Sequence, residues 1–330
     1  MFAHQVITDL QTFSTNRVLA IKENTKTISA IITAQKFSIE DADGLHNLFK
    51  SMDGERVFDG EFSRYMRLPY ELVYLDWRKP VDNIEDNLEP VDPAISRLST
   101  SSKRACLVWR FHCDHIWKIQ IISYIDSQKA WMPSHYTLYA HIGGVWGSTP
   151  EGRQFVDKII PDSIPYRDLL RLKLCETENV FPVPYAFLKE YLLSNQPDTF
   201  MKTMQRYINE DSGEYTAICS FLILLNCKNI RTEKHYPSDR LNKRRIKDGK
   251  LPLFTYHTLR LDPLSTKTRA SCKKDGSQQP QRLHFCRGHF KEFTTERPLF
   301  GKLTGLYWWE PQVRGNKKLG IIAKDYEVRV

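Results

Sequence analysis

The chain has 330 residues, 41% of them hydrophobic, and carries a formal net charge of +9 with a pI near 9.1. This composition excludes a disordered polymer, because it can build a substantial buried core in one large domain or several small ones. The positive balance favours an anionic partner, with nucleic acid as the first candidate and an anionic membrane surface as the second.

Three features predict a cytoplasmic protein with no membrane partner. The start MFAHQVITDLQTF lacks the basic stretch and apolar run of an export signal. The longest strongly apolar segment, YTAICSFLILLNC at 215–227, has thirteen residues, whereas a spanning helix needs about 20, so it predicts a buried helix. The seven Cys lack CxxC pairs, which suits a reducing compartment better than a disulfide framework.

The first part of the chain predicts mixed helical and extended structure. SIEDADGLHNLFKSM at 38–52 predicts a helix that Ser38 caps, and YELVYLDW at 70–77 predicts a strand. Residues 78–103 are rich in Pro, Asp and Ser and predict a surface excursion or linker. The segment 105–125 predicts a β-hairpin, and HYTLYAHI at 135–142 predicts its third strand.

The rest of the chain changes from helical to extended patterns. Helices are predicted at 165–176, 184–195, 198–209 and 215–227, two of them beginning with Pro, which a first helical turn tolerates. Strands are predicted at 253–261, 282–290, 305–311 and 320–330, with a polar loop at 262–281. The fold class is therefore α+β, with a mixed region at 1–150, a helical region at 151–228 and a basic β-rich region at 229–330. A small barrel-like form of the last region is one option.

The positive charge is concentrated near the C-terminus. Residues 226–330 hold 24 Lys and Arg against 10 Asp and Glu, while the remainder holds 24 against 29. This asymmetry is more informative than the total, because the surplus can act as one field.

A short basic helix is predicted after Ser238, a suitable N-cap. Four cations at positions i, i+3, i+4 and i+7 then share one face, namely Arg240, Lys243, Arg244 and Lys247. Like charges at this spacing repel, and a phosphate backbone would offset the repulsion. The alternatives are a solvated helix face or a localisation signal.

The segment RLHFCRGHF at 282–290 predicts a catalytic site. Cleaving RNA without a metal needs a base, an acid and cations for the phosphorane. A bulge at Gly288 would let His289 rejoin the strand face of His284, and histidine suits both proton transfers near neutral pH. Arg287 and Arg314 complete the predicted catalytic set, because the arginine fork matches phosphate oxygens.

The remaining predicted binding residues are aromatic or basic. Trp308 and Trp309 are neighbours in a strand and cannot both face inward, so one is expected to stack on a base. Lys291 and the four helix cations would hold phosphates. The alternative is that the two His are structural, the Trp pair is core and rim, and the Arg are surface residues.

Zinc is a competing interpretation of the same residue types. The candidate groups are His284 with Cys286 and His289, and His112 with Cys113 and His115. Neither group has a standard paired spacing, and adjacent strand residues point apart. The sequence also lacks GxxxxGK[ST], GxGxxG, HExxH and GxSxG motifs, so we expect no cofactor.

Several of these motifs resemble those of an uncharacterised family found among phage and prophage proteins. They are RGH at 287–289, PLFG at 298–301, YWWEP at 307–311 and RG at 314–315. LPYELVYLDW at 68–77 and LNCKNI at 225–230 are also similar. The specific part of the likeness covers about the last hundred residues. It implies a phage-associated setting and no established activity.

The sequence therefore predicts a protein that binds RNA or single-stranded DNA, with metal-independent nuclease activity as an open extension. The alternative is a protein-interaction factor, an inhibitor or adaptor of an acidic host protein, without catalysis. A structural or assembly protein is a third option, and a homodimer is compatible with each.

Overall fold

A computed structural model describes residues 2–12, 18–39, 65–78, 100–111, 116–126, 128–134, 136–141, 180–184, 214–215, 217–261, 282–286, 289–309, 312–314 and 316–321. The helices of this part are α1 Ala3–Thr12, α2 Val18–Thr33, α3 at 217–225 and α4 Asp239–Lys247. No helix in these ranges is long and apolar enough to cross a bilayer.

The strands of the described part follow in chain order. They are β1 Gln35–Ile39, β2 Leu72–Arg78, β3 Thr100–Arg110, β4 Ile116–Ile125, β5 Ala130–Pro133, β6 Tyr136–His141, β7 Val180–Pro184, β8 Ile230–His235, β9 Tyr256–Leu261, β10 Arg282–Cys286, β11 His289–Phe293, β12 Gly305–Trp309, β13 Gln312–Arg314 and β14 Asn316–Ile321. The α+β class predicted from the sequence is confirmed at this level.

One large mixed sheet organises the described part of the chain. Its strand order is β7-β6-β4-β3-β2-β1-β9-β8, and β5 pairs with β4. Strand β1 is parallel to both β2 and β9, whereas the other pairs are antiparallel. A three-stranded sheet, β13-β10-β14, and the two-stranded hairpin β11–β12 complete the strands.

Each face of the large sheet has its own apolar core. Tyr74 and Leu107 pack with α1 and α2 on one side, the α1/α2 face, and α1 buries Val6 and Leu10 there. Side chains alternate along a strand, so Leu75 packs on the opposite side with α3 and the β11–β12 hairpin, which we call the α3 face. The sheet therefore separates two groups of covering elements.

Several predicted elements are confirmed. Strand β2, the β3–β4 hairpin and the third strand β6 form as expected, and the apolar segment is helical at 217–225. Strand β7 adds an extended stretch between predicted helices. The predicted helices at 165–176 and 198–209 lie outside the described residues, as do residues 185–195 of the helix predicted at 184–195. Of the linker predicted at 78–103, residues 79–99 lie outside them, whereas its two ends were wrong, because Arg78 belongs to β2 and residues 100–103 belong to β3.

The helix cap predicted at Ser38 was wrong, because Ser38 lies within β1, where its hydroxyl donates to Asp76 Oδ1 at 2.7 Å. Residues 40–52 of the predicted helix lie outside the described residues. The predicted strand RLHFCRGHF is extended at 282–286 in β10 and from His289 in β11. The two parts pair with β13 and β12 in one antiparallel register, Cys286 with Gln312 and His289 with Trp309. The backbone at 287–288, which includes the predicted bulge, lies outside the described residues.

Candidate nucleic-acid interface

Helix α4 is held to the rest of the chain by its inner side. The Asn242 amide pairs with both backbone groups of Leu253, donating to the carbonyl at 3.1 Å and accepting from the N–H at 2.6 Å. The Arg245 guanidinium donates from Nε to the Leu251 carbonyl at 2.8 Å. Leu251 and Phe254 in turn pack on the α1/α2 face. Helix α4 is therefore anchored on that side of the sheet.

The outer side of α4 carries the four cations predicted from the sequence. Arg240, Lys243, Arg244 and Lys247 are all exposed, and we call them the α4 cation face. Within the described residues none of the four forms an ion pair or a hydrogen bond through its side chain. Ser238 occupies the N-cap position as predicted, but its side chain makes no capping hydrogen bond.

Helix α4 lacks a capping side chain and has four like charges on one face, both of which weaken an isolated helix. Asp239 in the first turn and the cations of the last turn offset part of this cost through the helix dipole. The bonds of Asn242 and Arg245 supply tertiary anchoring. The inner side of the helix is thus anchored to the fold, while its outer side presents the α4 cation face to solvent.

The positive field extends along the sheet edge beside α4. Residues 228–261 hold ten Lys and Arg against three Asp and Glu. One of these acids, Glu233, is bound at 2.7 Å by Arg260, which lowers the pKa of Glu233 through the hydrogen bond and the opposite charge. Strand β8 is the last of the described strands at this edge, and its residues 231–234 are exposed.

The sequence did not single out Tyr236 and Lys234, which precede α4. Tyr236 is 73% exposed, and Lys234 Nζ lies 5.0 Å from the centroid of its ring. Both belong to the basic stretch that follows Asn229, but an exposed ring cannot be told from a buried one by that pattern. They add an aromatic group to the edge that carries the α4 cation face.

The hairpin β11–β12 is attached on the other side of the sheet. The Asn229 amide donates to the Trp308 carbonyl at 2.7 Å and accepts from the Trp308 N–H at 2.9 Å. The Lys228 N–H donates to the Leu306 carbonyl at 2.8 Å. Phe290 and Leu306 join the core of the α3 face. The hairpin and α4 therefore lie against opposite faces of the large sheet.

The predicted residues of the hairpin lie on its two opposite sides. Phe290 pairs with Trp308, and their rings are 4.9 Å apart against the α3-face core. His289 pairs with Trp309 on the outer side, where His289 and Lys291 are exposed. The two Trp therefore point to opposite sides, as expected, and Trp309 remains partly exposed.

Two other predicted catalytic residues, His284 and Arg314, lie in the three-stranded sheet. Backbone pairing of β10 with β13 places His284 directly opposite Arg314. His289 lies five residues further along, at the start of β11, and its pairing with Trp309 keeps the register in which β10 pairs with β13. Arg287 lies outside the described residues. The pairing of His284 with Arg314 is the part of the predicted set that the backbone brings together.

Two buried ionisable groups elsewhere, Asp76 and Lys36, have hydrogen-bond partners within the fold. Asp76 accepts hydrogen bonds from the Phe2 N–H at 2.5 Å and from Ser38, while burial raises its pKa. Lys36 donates to the carbonyls of Ile32 and Ala34 near the end of α2, and burial lowers its pKa to about 8. Asp76 is thus enclosed under α1 and is remote from solvent.

The described ranges contain no group of three or more His, Cys, Asp or Glu that is placed to hold a metal ion. Of the candidate zinc groups, residues 112–115 lie outside those ranges. Cys106, Cys219 and Cys227 are buried and free.

Comparisons with known proteins were made with the whole chain. No family model matches it. Searches of curated proteins and of solved structures also found no match. The resemblance to phage and prophage proteins therefore stays a prediction.

Proposed function

We propose that the protein binds nucleic acid through its basic, mainly β C-terminal part, with the α4 cation face as the primary contact. The observation that carries the proposal is the set of four exposed cations on one helix face without an ion pair among the described residues. Charge kept on a rigid element and not compensated by carboxylates is suited to a polyanion.

The anchoring of α4 supports a binding role over a merely solvated surface. Asn242 and Arg245 fix the inner side of the helix, so that the outer cations are presented in a constant arrangement. A preorganised set of cations loses less conformational entropy on binding than cations on a mobile segment. Phosphates are the expected contacts, and such contacts carry no sequence information.

The test is a salt titration of binding with a matched charge control. Fluorescence anisotropy would measure the affinity of the full chain for labelled RNA and DNA strands at several salt concentrations. The test variant is Arg240→Gln with Lys243→Gln and Lys247→Gln, and the control variant is Lys22→Gln with Lys26→Gln and Lys129→Gln. Both variants lose the same charge, but Lys22 and Lys26 are exposed on α2, where Lys26 pairs with Glu23 at 2.8 Å, and Lys129 is exposed in the turn before β5.

We expect the test variant to lower the slope of log affinity against log salt by about 0.7 to 0.9 for each phosphate that the protein no longer neutralises. The control should retain the slope of the unmodified chain. Equal reductions in both variants would show a nonspecific effect of net charge and contradict the proposal. A shallow slope with tight binding to an acidic protein would favour the interaction-factor alternative.

We further propose metal-independent cleavage as an extension of this binding. It is supported by the cross-strand pairing of His284 with Arg314 and by the exposure of His289 and Lys291. Histidine can exchange a proton near neutral pH, and arginine can stabilise phosphorane charge. Arg287 keeps its predicted role in the same set.

Labelled RNA and DNA incubated with the full chain in EDTA would test the extension. Cleavage that is abolished in His289→Ala and in His284→Ala, while binding persists, is the expected result. His4→Ala is the control, because His4 lies in α1, where its ring stacks on Phe254 at 4.6 Å. Intact substrate with normal binding would leave a binding protein without catalysis.

A further inference from the structure

Tyr236 has an unusual position for a large aromatic side chain. With 73% of its surface exposed, it is the most exposed large hydrophobic residue among those described. It follows the last residue of β8 and precedes Pro237 and the N-cap of α4. The neighbouring His235 is fixed differently, since its ring stacks on Tyr256 at 4.8 Å and bonds Thr258. The end of β8 is thus anchored by His235 while Tyr236 stays outside.

The surroundings of Tyr236 are cationic. Lys234 Nζ lies 5.0 Å from the ring centroid, and the α4 cation face begins at Arg240, four residues further along the chain. A cation over an aromatic ring is attracted by the ring's quadrupole, which helps hold both side chains in place. A polyanion that follows these cations would therefore pass an exposed aromatic ring.

The chemistry of that ring narrows the ligand class. A phosphate gains little from an aromatic face, whereas an unpaired base stacks on it. Bases inside a duplex are already stacked on each other and cannot reach a surface ring unless they are extruded. An exposed ring beside a row of cations is therefore suited to a single strand.

We propose that Tyr236 is a base-stacking subsite, through which the α4 cation face prefers single-stranded nucleic acid to duplex. The inference rests on the proposed function, which supplies the phosphate contacts. The stacking is independent of base identity, because every base presents a π-face. Lys234 holds one side of the ring or shifts to a neighbouring phosphate when a base arrives.

The experiment compares three forms of one labelled strand by fluorescence anisotropy with the full chain. They are the single strand, a strand of the same length with abasic sugars in place of every nucleotide, and the duplex, each in RNA and DNA versions. The variants are Tyr236→Ala, Tyr236→Phe and, as a matched control, Tyr70→Ala, since Tyr70 is another exposed tyrosine at 42%. Thermal unfolding of each variant checks that the fold is retained.

We expect Tyr236→Ala to bind the intact single strand about 5-fold or more weakly. Its affinity for the abasic strand and its salt slope should match those of the unmodified chain. Tyr236→Phe and Tyr70→Ala should behave like the unmodified chain. The ring of Tyr236, and not its hydroxyl, would then be the source of the preference.

Two results would overturn the inference while leaving the proposed function intact. One is steep, salt-dependent binding in which intact and abasic strands have equal affinity. The other is a Tyr236→Ala variant that binds the intact single strand as tightly as the unmodified chain. Absence of binding to every strand would instead refute the proposed function and the inference with it.

Discussion

Arg104 in the large sheet and Lys243 on α4 are both cations, but the first is buried and the second lies in solvent. Arg104 Nε bonds Glu214 Oε1 at 2.9 Å, and the two side chains are only 9% and 3% exposed. Lys243 has no ion-pair partner among the described residues. A buried charge needs its partner because desolvation is costly, whereas an exposed one does not. The charge of Arg104 in the sheet therefore contributes to stability through its ion pair, whereas the charge of Lys243 on α4 can bind a ligand.

The largest effect is expected when the buried pair is broken. Glu214→Ala leaves the Arg104 charge buried without this carboxylate, which should lower the free energy of unfolding by about 3 to 5 kcal/mol. Urea denaturation of the two proteins would measure the difference. Glu233→Ala is the matched control, because Glu233 also binds an arginine but at the surface. Similar, small decreases in both variants would contradict the contrast between the regions.

A smaller decrease is expected from the amide that holds the hairpin. Asn229 is buried and bonds both backbone groups of Trp308, so Asn229→Ala leaves two polar groups without this partner and should cost about 2 kcal/mol or more. Asn242 makes the same pair of bonds with Leu253 at a half-buried position, where water can replace the missing amide.

Hydrogen exchange would separate the two asparagine variants. Asn242→Ala should speed amide exchange in α4 and lower the free energy of unfolding less than Asn229→Ala does. Asn229→Ala should speed exchange in β12. Faster exchange throughout the sheet in Asn242→Ala would show that α4 is part of the cooperative core and not an attached element.

The sequence predicted much of this contrast at the level of single elements. Alternation and apolar runs located β2, the β3–β4 hairpin and the helix at 217–225, because burial imposes those patterns locally. The i, i+3, i+4, i+7 spacing located the outer face of α4. The sheet order was beyond such reasoning, since β1 pairs with β9 through Phe37 and His257, which are 220 positions apart.

The candidate site was predicted only in part, because the sequence shows local patterns but not tertiary contacts. Which cations share a helix face is local, but the separation of α4 from the hairpin depends on which core each one joins. Serine is also a residue type that commonly caps helices, yet the Ser38 hydroxyl donates a hydrogen bond to Asp76 on a neighbouring strand. The exposure of Tyr236 depends on how His235 is anchored, which is a tertiary contact.

The pH dependence of stability offers another comparison of a buried charged group with an exposed one. Burial raises the pKa of Asp76, so between the usual aspartate value near 3.9 and the raised value the folded chain binds a proton that the unfolded chain lacks. The free energy of unfolding from this group therefore falls as pH rises through that window, then levels off. Asp76→Asn should lack this component.

Urea denaturation of Asp76→Asn and the unmodified chain from acidic to neutral pH would measure it. The difference between the two proteins should change in favour of the variant as pH rises through the window. The exposed Asp239→Asn is the matched control in α4. Parallel curves for Asp76→Asn and the unmodified chain would contradict the burial of the carboxyl group under α1.

The most sensitive test uses two neighbouring arginines of α4 that have opposite roles. Arg245 donates to the Leu251 carbonyl on the inner side, so Arg245→Gln should cost about 1 kcal/mol of stability. Arg244 lies on the α4 cation face, and Arg244→Gln should change stability by less than about 0.5 kcal/mol. For nucleic acid the order should reverse, because Arg244 is the expected phosphate contact. Thermal unfolding and salt-dependent binding, measured on both variants, would show whether Arg245→Gln mainly lowers stability and Arg244→Gln mainly lowers binding. A variant in which stability and binding fell together would show that anchoring and phosphate binding do not lie on separate sides of the helix.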